Sequence, residues 1–194
     1  KHEKEPIGLL IVSFIFGLIT FILAYFLSDF LYHYYPFDKN SLVGELVNAF
    51  IIVAFVEEFF KFFFVRFILY NNKNFNEPFD GIVYTVMVAM GFATIENIIF
   101  VMNGDVTVGI VRMFSAVPAH ATFAIIMGYY LGKAKFNEKK VAVDIDGDGI
   151  SDINLNPKVM STLYSLGGFL LAIIIHGFYD YFLFTSFMPG IWIM

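Results

Sequence analysis

The chain has 194 residues, of which 59% are hydrophobic, 20% aromatic and only 15% charged, with a net charge of −5 and a mean hydropathy of +0.74. That composition lies far outside the soluble range and points to an integral membrane protein, whose first partner is the lipid bilayer; the acid surplus argues against nucleic acid. The absence of cysteine excludes disulfides, a thiol nucleophile and cysteine-ligated metals.

Five apolar runs follow one another, at about residues 7–32, 43–70, 79–102, 109–132 and 160–187. Each matches or exceeds the roughly 20 residues that carry a helix across a bilayer, and none alternates with the period of a membrane barrel strand. The expected fold class is therefore all-α: a polytopic transmembrane bundle of about five spans, forming a single membrane-embedded domain over residues 1–194. Gly, Pro and Asn mark the breaks at 36–40, 71–78 and 103–107, and a long polar segment fills 133–158. The first run is too long for a signal-peptide core and lacks a small-residue cleavage site, so it reads as a retained span. The apolar tail 189–194 is too short to cross. With the N-terminus inside, the cytoplasmic side holds Lys1, Lys4, Arg66, Lys73, Lys133, Lys135, Lys139, Lys140 and Lys158, against Lys39 and Arg112 outside. That asymmetry expects the N-terminus in and the C-terminus out.

The second run carries Glu57, Glu58 and Lys61 near its middle, where one charge costs at least about 2.5 kcal/mol and so needs partners and a purpose. Glu96 lies in the third run, His120 in the fourth, and His176 with Asp180 in the fifth. At 1.5 Å per residue from the outer ends, Glu57 lies ~21 Å deep, His120 and His176 ~16 Å, Asp180 ~10 Å and Glu96 ~9 Å. These groups share one slab, from the midplane towards the outer face. Lys61 can reach Glu57 at i, i+4 and Glu58 at i, i+3, and His176 with Asp180 is an i, i+4 couple of the kind that orients an imidazole. Pro118, two residues before His120, is expected to remove a helix hydrogen bond and loosen the backbone there. Carboxylates and histidines gathered in a membrane cavity can activate water: a glutamate serves as base, and a histidine or a metal polarises a carbonyl.

Four motifs stand in order on successive helices: Glu57-Glu58-Phe-Phe-Lys61, Gly91-Phe92-Ala-Thr-Ile-Glu96-Asn97, Pro118-Ala-His120 and His176-Gly-Phe-Tyr-Asp180. Together, and with Asp80-Gly81-Ile82-Val83-Tyr84 ahead of the second of them, they resemble the PrsW family of intramembrane proteases, which is similar in turn to the CAAX prenyl endopeptidases. The resemblance covers the second to fifth runs. It implies an endopeptidase in which glutamate-activated water attacks a peptide bond within or beside the membrane. The substrate it implies is a membrane-spanning protein or peptide, for bacterial relatives a single-pass anti-sigma factor cut at its first site. Carried over by position, Glu57 or Glu58 is the base, Glu96, His120, His176 and Asp180 complete the site, and Lys61 and Asn97 support it. Glu96, His120 and His176 are the set able to hold a divalent metal such as zinc, and both metal-bound and metal-free water remain open.

The polar segment holds a separate feature, Asp144-Ile-Asp146-Gly-Asp148-Gly149-Ile150-Ser-Asp152, which supplies positions 1, 3, 5, 6 and 9 of a calcium loop and the Ile150 carbonyl at position 7. Position 12 is Leu155, so the bidentate glutamate is missing and weak calcium binding is expected. Plainer roles fall to other residues: Asp80 serves its helix N-terminus, Gly128 and Gly132 form a GxxxG packing pair, and Phe59 to Phe64 face lipid or pack. Other intramembrane protease classes lack their signatures here, with no HExxH, no Gly-x-Ser-x-Gly and no Gly-x-Gly-Asp following Tyr179-Asp180. Two further functions compete: a proton or ion relay, which needs polar groups across the whole bilayer depth, and a catalytically silent peptide-binding relative.

Overall fold

The computed structural model of the protein describes residues 3–34, 41–104, 106–137 and 156–185. The acidic segment 144–155 with its calcium-loop pattern, and the tail beyond Thr185, lie outside the described residues. Among the described residues every regular element is helical. Four helical stretches are long and apolar enough to cross a membrane: Ile7–Tyr34, Asp80–Asn103, Val106–Phe136 and Pro157–Phe184. The protein is a multi-pass membrane protein, and the fifth expected span has an interrupted form.

Helix α1 (Ile7–Tyr34) buries a seam of small residues, Ser13, Gly17, Thr20 and Ala24, and turns its large apolar side chains outward. Small side chains permit close backbone approach, which replaces the hydrophobic drive that lipid cannot supply. Ser13 and Thr20 return their hydroxyls to their own helix, at Leu9 O (2.8 Å) and Gly17 O (2.7 Å), so the seam leaves no donor unsatisfied.

The second expected span is a helical rod in several pieces. It begins with α2 (Leu42–Val47), capped by the Ser41 hydroxyl, which accepts from Gly44 N at 3.0 Å. A π-helical stretch (Asn48–Phe55), α3 (Val56–Phe63), a second π-helical stretch (Phe64–Ile68) and a 3₁₀ turn (Leu69–Asn71) follow. Val47, Val56 and Phe64 at the junctions keep right-handed helical dihedrals, so the hydrogen-bond pattern changes while the rod continues. Widened turns of this kind cluster at functional sites, and here they flank the Glu57–Lys61 turn on both sides.

Helix α4 (Asp80–Asn103) is central, with α1 on one side and α6 on the other. Asp80 is buried and its Oδ2 accepts Asn76 N and Glu77 N, both at 2.7 Å, so it ties the preceding turn to the start of α4 and does not cap the helix's own free N–H groups. A Cβ on Gly132 would meet the Pro78 carbonyl, and one on Gly81 or Gly128 would meet the facing helix backbone. The GxxxG pair is thus a packing device. Gly132→Leu is expected to cost about 1–3 kcal/mol as overpacking, whereas Gly167→Leu, with nothing within 4 Å of its Cβ, should leave thermal unfolding in detergent unchanged. Equal midpoints for the two variants would remove the packing argument.

The fourth run differs from expectation. It divides at Ser115 into α5 (Val106–Phe114) and α6 (Ala116–Asn137). Pro118 does not loosen a helix interior, because it sits in the first turn of α6, where backbone N–H groups have no intrahelical partner in any case. Its ring crowds the carbonyl four residues back, at Phe114, and the chain breaks there. Helix α6 also runs on to Asn137, into the stretch read as polar loop. Helix α7 (Pro157–Phe184) opens on proline after Asn156, whose side chain accepts from Lys158 N at 3.0 Å.

Contacts fix the directions. Ser28 donates to Ile52 O (2.8 Å) while Phe16 packs on Phe64, and Phe50 packs on Phe178 while Phe55 packs on Phe169, so the rod runs antiparallel to α1 and α7. Glu96 meets His120 and Gly81 meets Gly128, so α4 and α6 are antiparallel. Five passages alternate, and the motif-bearing segments of four of them meet in the interior.

Candidate active site

Helix α3 presents Glu57, Glu58 and Lys61 to the interior, along with Val56 and Phe62, while Phe59 and Phe63 face out. Lys61 is 1% exposed. Its Nζ lies 2.8 Å from Glu58 Oε1, 3.4 Å from Glu57 Oε2 and 3.2 Å from His120 Nδ1, and 4.1 Å above the Phe92 ring. Three groups on two helices therefore share one ammonium. Removing ions from water costs several kcal/mol each, so such an arrangement persists only when every charge is met by another.

His176 of α7 lies between carboxylates. Its Nδ1 is 2.9 Å from Glu58 Oε1; its Nε2 is 3.2 Å from Asp180 Oδ2 and 3.9 Å from Glu57 Oε2. The expected i, i+4 couple is present, although the Asp180 oxygen is an ion-pair neighbour without hydrogen-bond alignment. His120 stands across from it, ring centroids 5.3 Å apart and nearly perpendicular, with Phe123 stacked on His176 at 4.6 Å. An ammonium has only donors, so Lys61 requires a lone pair on His120 Nδ1. The ring proton then sits on Nε2, which donates to Glu96 Oε2 at 3.0 Å. Glu96 Oε2 is also 2.7 Å from Arg112 Nη2.

A cavity of about 330 Å³ opens beside these groups. Glu57, Glu96, His120, His176 and Asp180 line it, and it reaches Asn103 and Phe184 at the C-terminal ends of α4 and α7. Glu58 is 1% exposed and lies behind the lining, both of its close contacts falling on Oε1, whereas Glu57 faces the space. The two glutamates that spacing leaves equivalent are thus distinguished by burial.

Of the residues expected at the site, Asn97 is placed elsewhere. Its Nδ2 donates to Gly109 O at 3.4 Å, so it joins α4 to α5 and does not line the cavity. Arg112, counted in the sequence among outer loop charges, is 3% exposed and belongs to the site. One signal could have found it. Glu57, Glu58, Glu96 and Asp180 outnumber a single lysine at that depth, and a second cation is needed nearby. The aromatic walls Phe92 and Phe123 had no periodic signal to set them apart from lipid-facing phenylalanines.

The ligand set also differs from the expected Glu96, His120 and His176. One donor atom from each of Glu57, Glu58, His120 and His176 falls within a 4.8 Å group, while Glu96 stands behind His120 as its partner. Two carboxylates and two imidazoles suit a borderline divalent ion such as zinc, and Glu58 Oε2 is buried without a hydrogen bond. Four carboxylates against Lys61 and Arg112 leave an excess of negative charge for such an ion to balance. These residues fit a metal, although Lys61 shares three of the same donor groups.

The model of a family described as PrsW family intramembrane metalloprotease matches residues 5–194. Relatives named Protease PrsW include that of Geobacillus kaustophilus, 34% identical over 94% of this chain and 70% of the relative. That of Oceanobacillus iheyensis is 32% identical over 98% of this chain and 81% of its own length. The Clostridioides difficile protein is 37% identical over 72% of this chain and 60% of its own length. No solved structure matches the chain.

Proposed function

The chain belongs to the PrsW family of intramembrane proteases, and from that premise we propose that it hydrolyses a peptide bond in a membrane-embedded or lipid-adjacent substrate, with Glu57 as the base that activates water. The observation that carries this reading is the exposure of Glu57 to a buried cavity that His120 and His176 also line, with Glu58 sealed behind it. Glu57 takes the water proton and returns it to the departing amine, and His176 Nε2, with Asp180 beside it, faces the carbonyl oxygen, while His120, engaged by Glu96 and Lys61, fixes the wall of the cluster. Glu58 holds Lys61 and His176 in place. Glu57, Glu58, His120 and His176 would hold a metal, which when bound supplies Lewis-acid polarisation of the carbonyl and a more acidic water.

The charge count bears on the side of attack. With Arg112 moved into the site, only Lys39 remains on the outer side against nine cytoplasmic Lys and Arg. The cavity end at Asn103 and Phe184 then faces the outer half of the bilayer. A single-pass regulator of the anti-sigma-factor type, cut from that side, is the substrate class this placement suits.

A proton relay is less well supported. Directly inward of the site Val88, Met127, Ala172 and Ile173 form an apolar layer, and polar side chains return only beyond it, at Thr85 and at Ser165 with Arg66. Proton transfer through it would need polar groups or water at that level. The test is cleavage of a panel of tagged single-pass membrane peptides by the purified protein, with and without a zinc chelator. Chelation is expected to abolish cleavage and added zinc to restore it; cleavage that persists in chelator would assign carbonyl polarisation to His176. A folded protein that cleaves none of the panel, yet retains one of the peptides, would favour the silent peptide-binding reading.

A further inference from the structure

Helix α5 is nine residues long and is set off from α6 by the break at Ser115. It buries Gly109 and Arg112, three residues apart, and exposes Val106, Ile110, Met113 and Phe114. Its inner face is therefore a glycine and an arginine, and an arginine is an expensive way to anchor so short a helix in lipid. Gly109 lies where any Cβ would strike the Val101 side chain, so the close approach of α5 to α4 depends on that glycine. The approach brings the Arg112 guanidinium 3.5 Å above the Phe100 ring and Nη2 to 2.7 Å from Glu96 Oε2. The same oxygen takes the His120 Nε2–H.

We propose that Arg112 is a positioning residue for hydrolysis: by holding Glu96 Oε2 it fixes the acceptor of the His120 Nε2–H, and with it the ring orientation that turns Nδ1 into the Glu57–Glu58–Lys61 cluster. This rests on the reading of the site given above. Two alternatives compete for the His120 ring. In one, Nε2–H faces Glu96 and Nδ1 accepts from Lys61; in the other the proton moves to Nδ1, facing an ammonium that has no lone pair to offer it. Lys61 already demands the first; Glu96 adds a fixed acceptor for Nε2–H, and so holds the ring's rotation, only while it stays aimed at Nε2. Arg112 supplies that aim as a fixed donor on the same oxygen. The order along the chain of contacts is Arg112, Glu96, His120, Lys61, Glu58, His176, with Asp180 at the end.

The test uses ring-nitrogen NMR of the full chain labelled with ¹⁵N-histidine in detergent. Only four histidines are present, and His120 is assigned by the signals lost in His120→Gln. Wild type is expected to show His120 as a single Nε2–H tautomer. Arg112→Gln should shift the His120 Nε2–H proton resonance upfield, as a weakened hydrogen bond to Glu96 does, and lower kcat roughly 10–100-fold at nearly constant KM, with Arg112→Lys recovering most of that loss. Gly109→Leu alters no charged group and displaces α5 from Val101, so it should give the same spectrum as Arg112→Gln. A His120 Nε2–H resonance that stays at its wild-type position in both Arg112→Gln and Gly109→Leu overturns the assignment, whatever the activity. If wild type cleaves no peptide, the hydrolytic reading fails by itself, and the spectra still decide the role of Arg112.

Discussion

Glu57→Gln is expected to lower turnover by roughly 10²–10⁴-fold, the range that a positioned general base contributes, while leaving thermal unfolding in detergent nearly unchanged. The substitution is isosteric, and an amide oxygen can still accept from Lys61 Nζ, which is already at the long distance of 3.4 Å. The side chain also borders the cavity, so the lost charge leaves little desolvated polar surface behind. Glu58→Gln should behave in the opposite manner. Its Oε1 receives Lys61 at 2.8 Å and His176 Nδ1 at 2.9 Å in a pocket closed to solvent. Neutralising it weakens two charge-assisted contacts at once, and stability should fall before chemistry is considered. The comparison therefore separates the two glutamates by midpoint and turnover measured on the same samples. Loss of turnover at unchanged midpoint in Glu58→Gln, with Glu57→Gln still active, would exchange their roles.

The fold class was legible because lipid imposes a simple rule: runs of about 20 apolar residues become helices, since no other open structure satisfies its own backbone. Three of the runs, the first, third and fifth, appear as expected in kind. The second was legible as a span, yet its π-helical stretches were not, because they change hydrogen-bond pattern without any Pro or Gly to announce it. The break at Ser115 was half legible. Pro118 signalled an interruption, but its effect falls on the residues before it, and the segment carrying Arg112 became a helix of its own. At the site, ionisable residues in apolar runs marked Glu57, Glu58, Lys61, Glu96, His120, His176 and Asp180, and the structure brings all seven together. Asn97 came in as a supporting residue with the motif that ends on it, but on a helix adjacent residues face about 100° apart, and it turns to α5 instead. Arg112 was hidden by a boundary: placed at the end of a span, it counted as a loop charge.

Lys61→Met tests whether the buried cation is structural before it is chemical. The methionine matches the aliphatic stem and keeps the packing against Phe92, so its effect isolates the charge. Glu58, closed off from solvent, would lose its nearest cation, and His120 Nδ1 would lose its donor. Breaking a buried pair from one side costs about 3–5 kcal/mol, because the surviving charge is left uncompensated. The expected result is a protein that unfolds at clearly lower temperature or denaturant. The double variant Lys61→Met/Glu58→Gln should recover much of the loss, since the carboxylate that suffers from the missing ammonium is then neutral. Non-additivity in that cycle measures the coupling directly. Zinc gives a second reading of the same site: if the metal uses Glu57, Glu58, His120 and His176, removing Lys61 frees three of those groups. The single variant should then bind zinc more tightly than wild type, and zinc should restore its stability. Unchanged zinc affinity together with an additive double variant would leave Lys61 outside the cluster that its distances define.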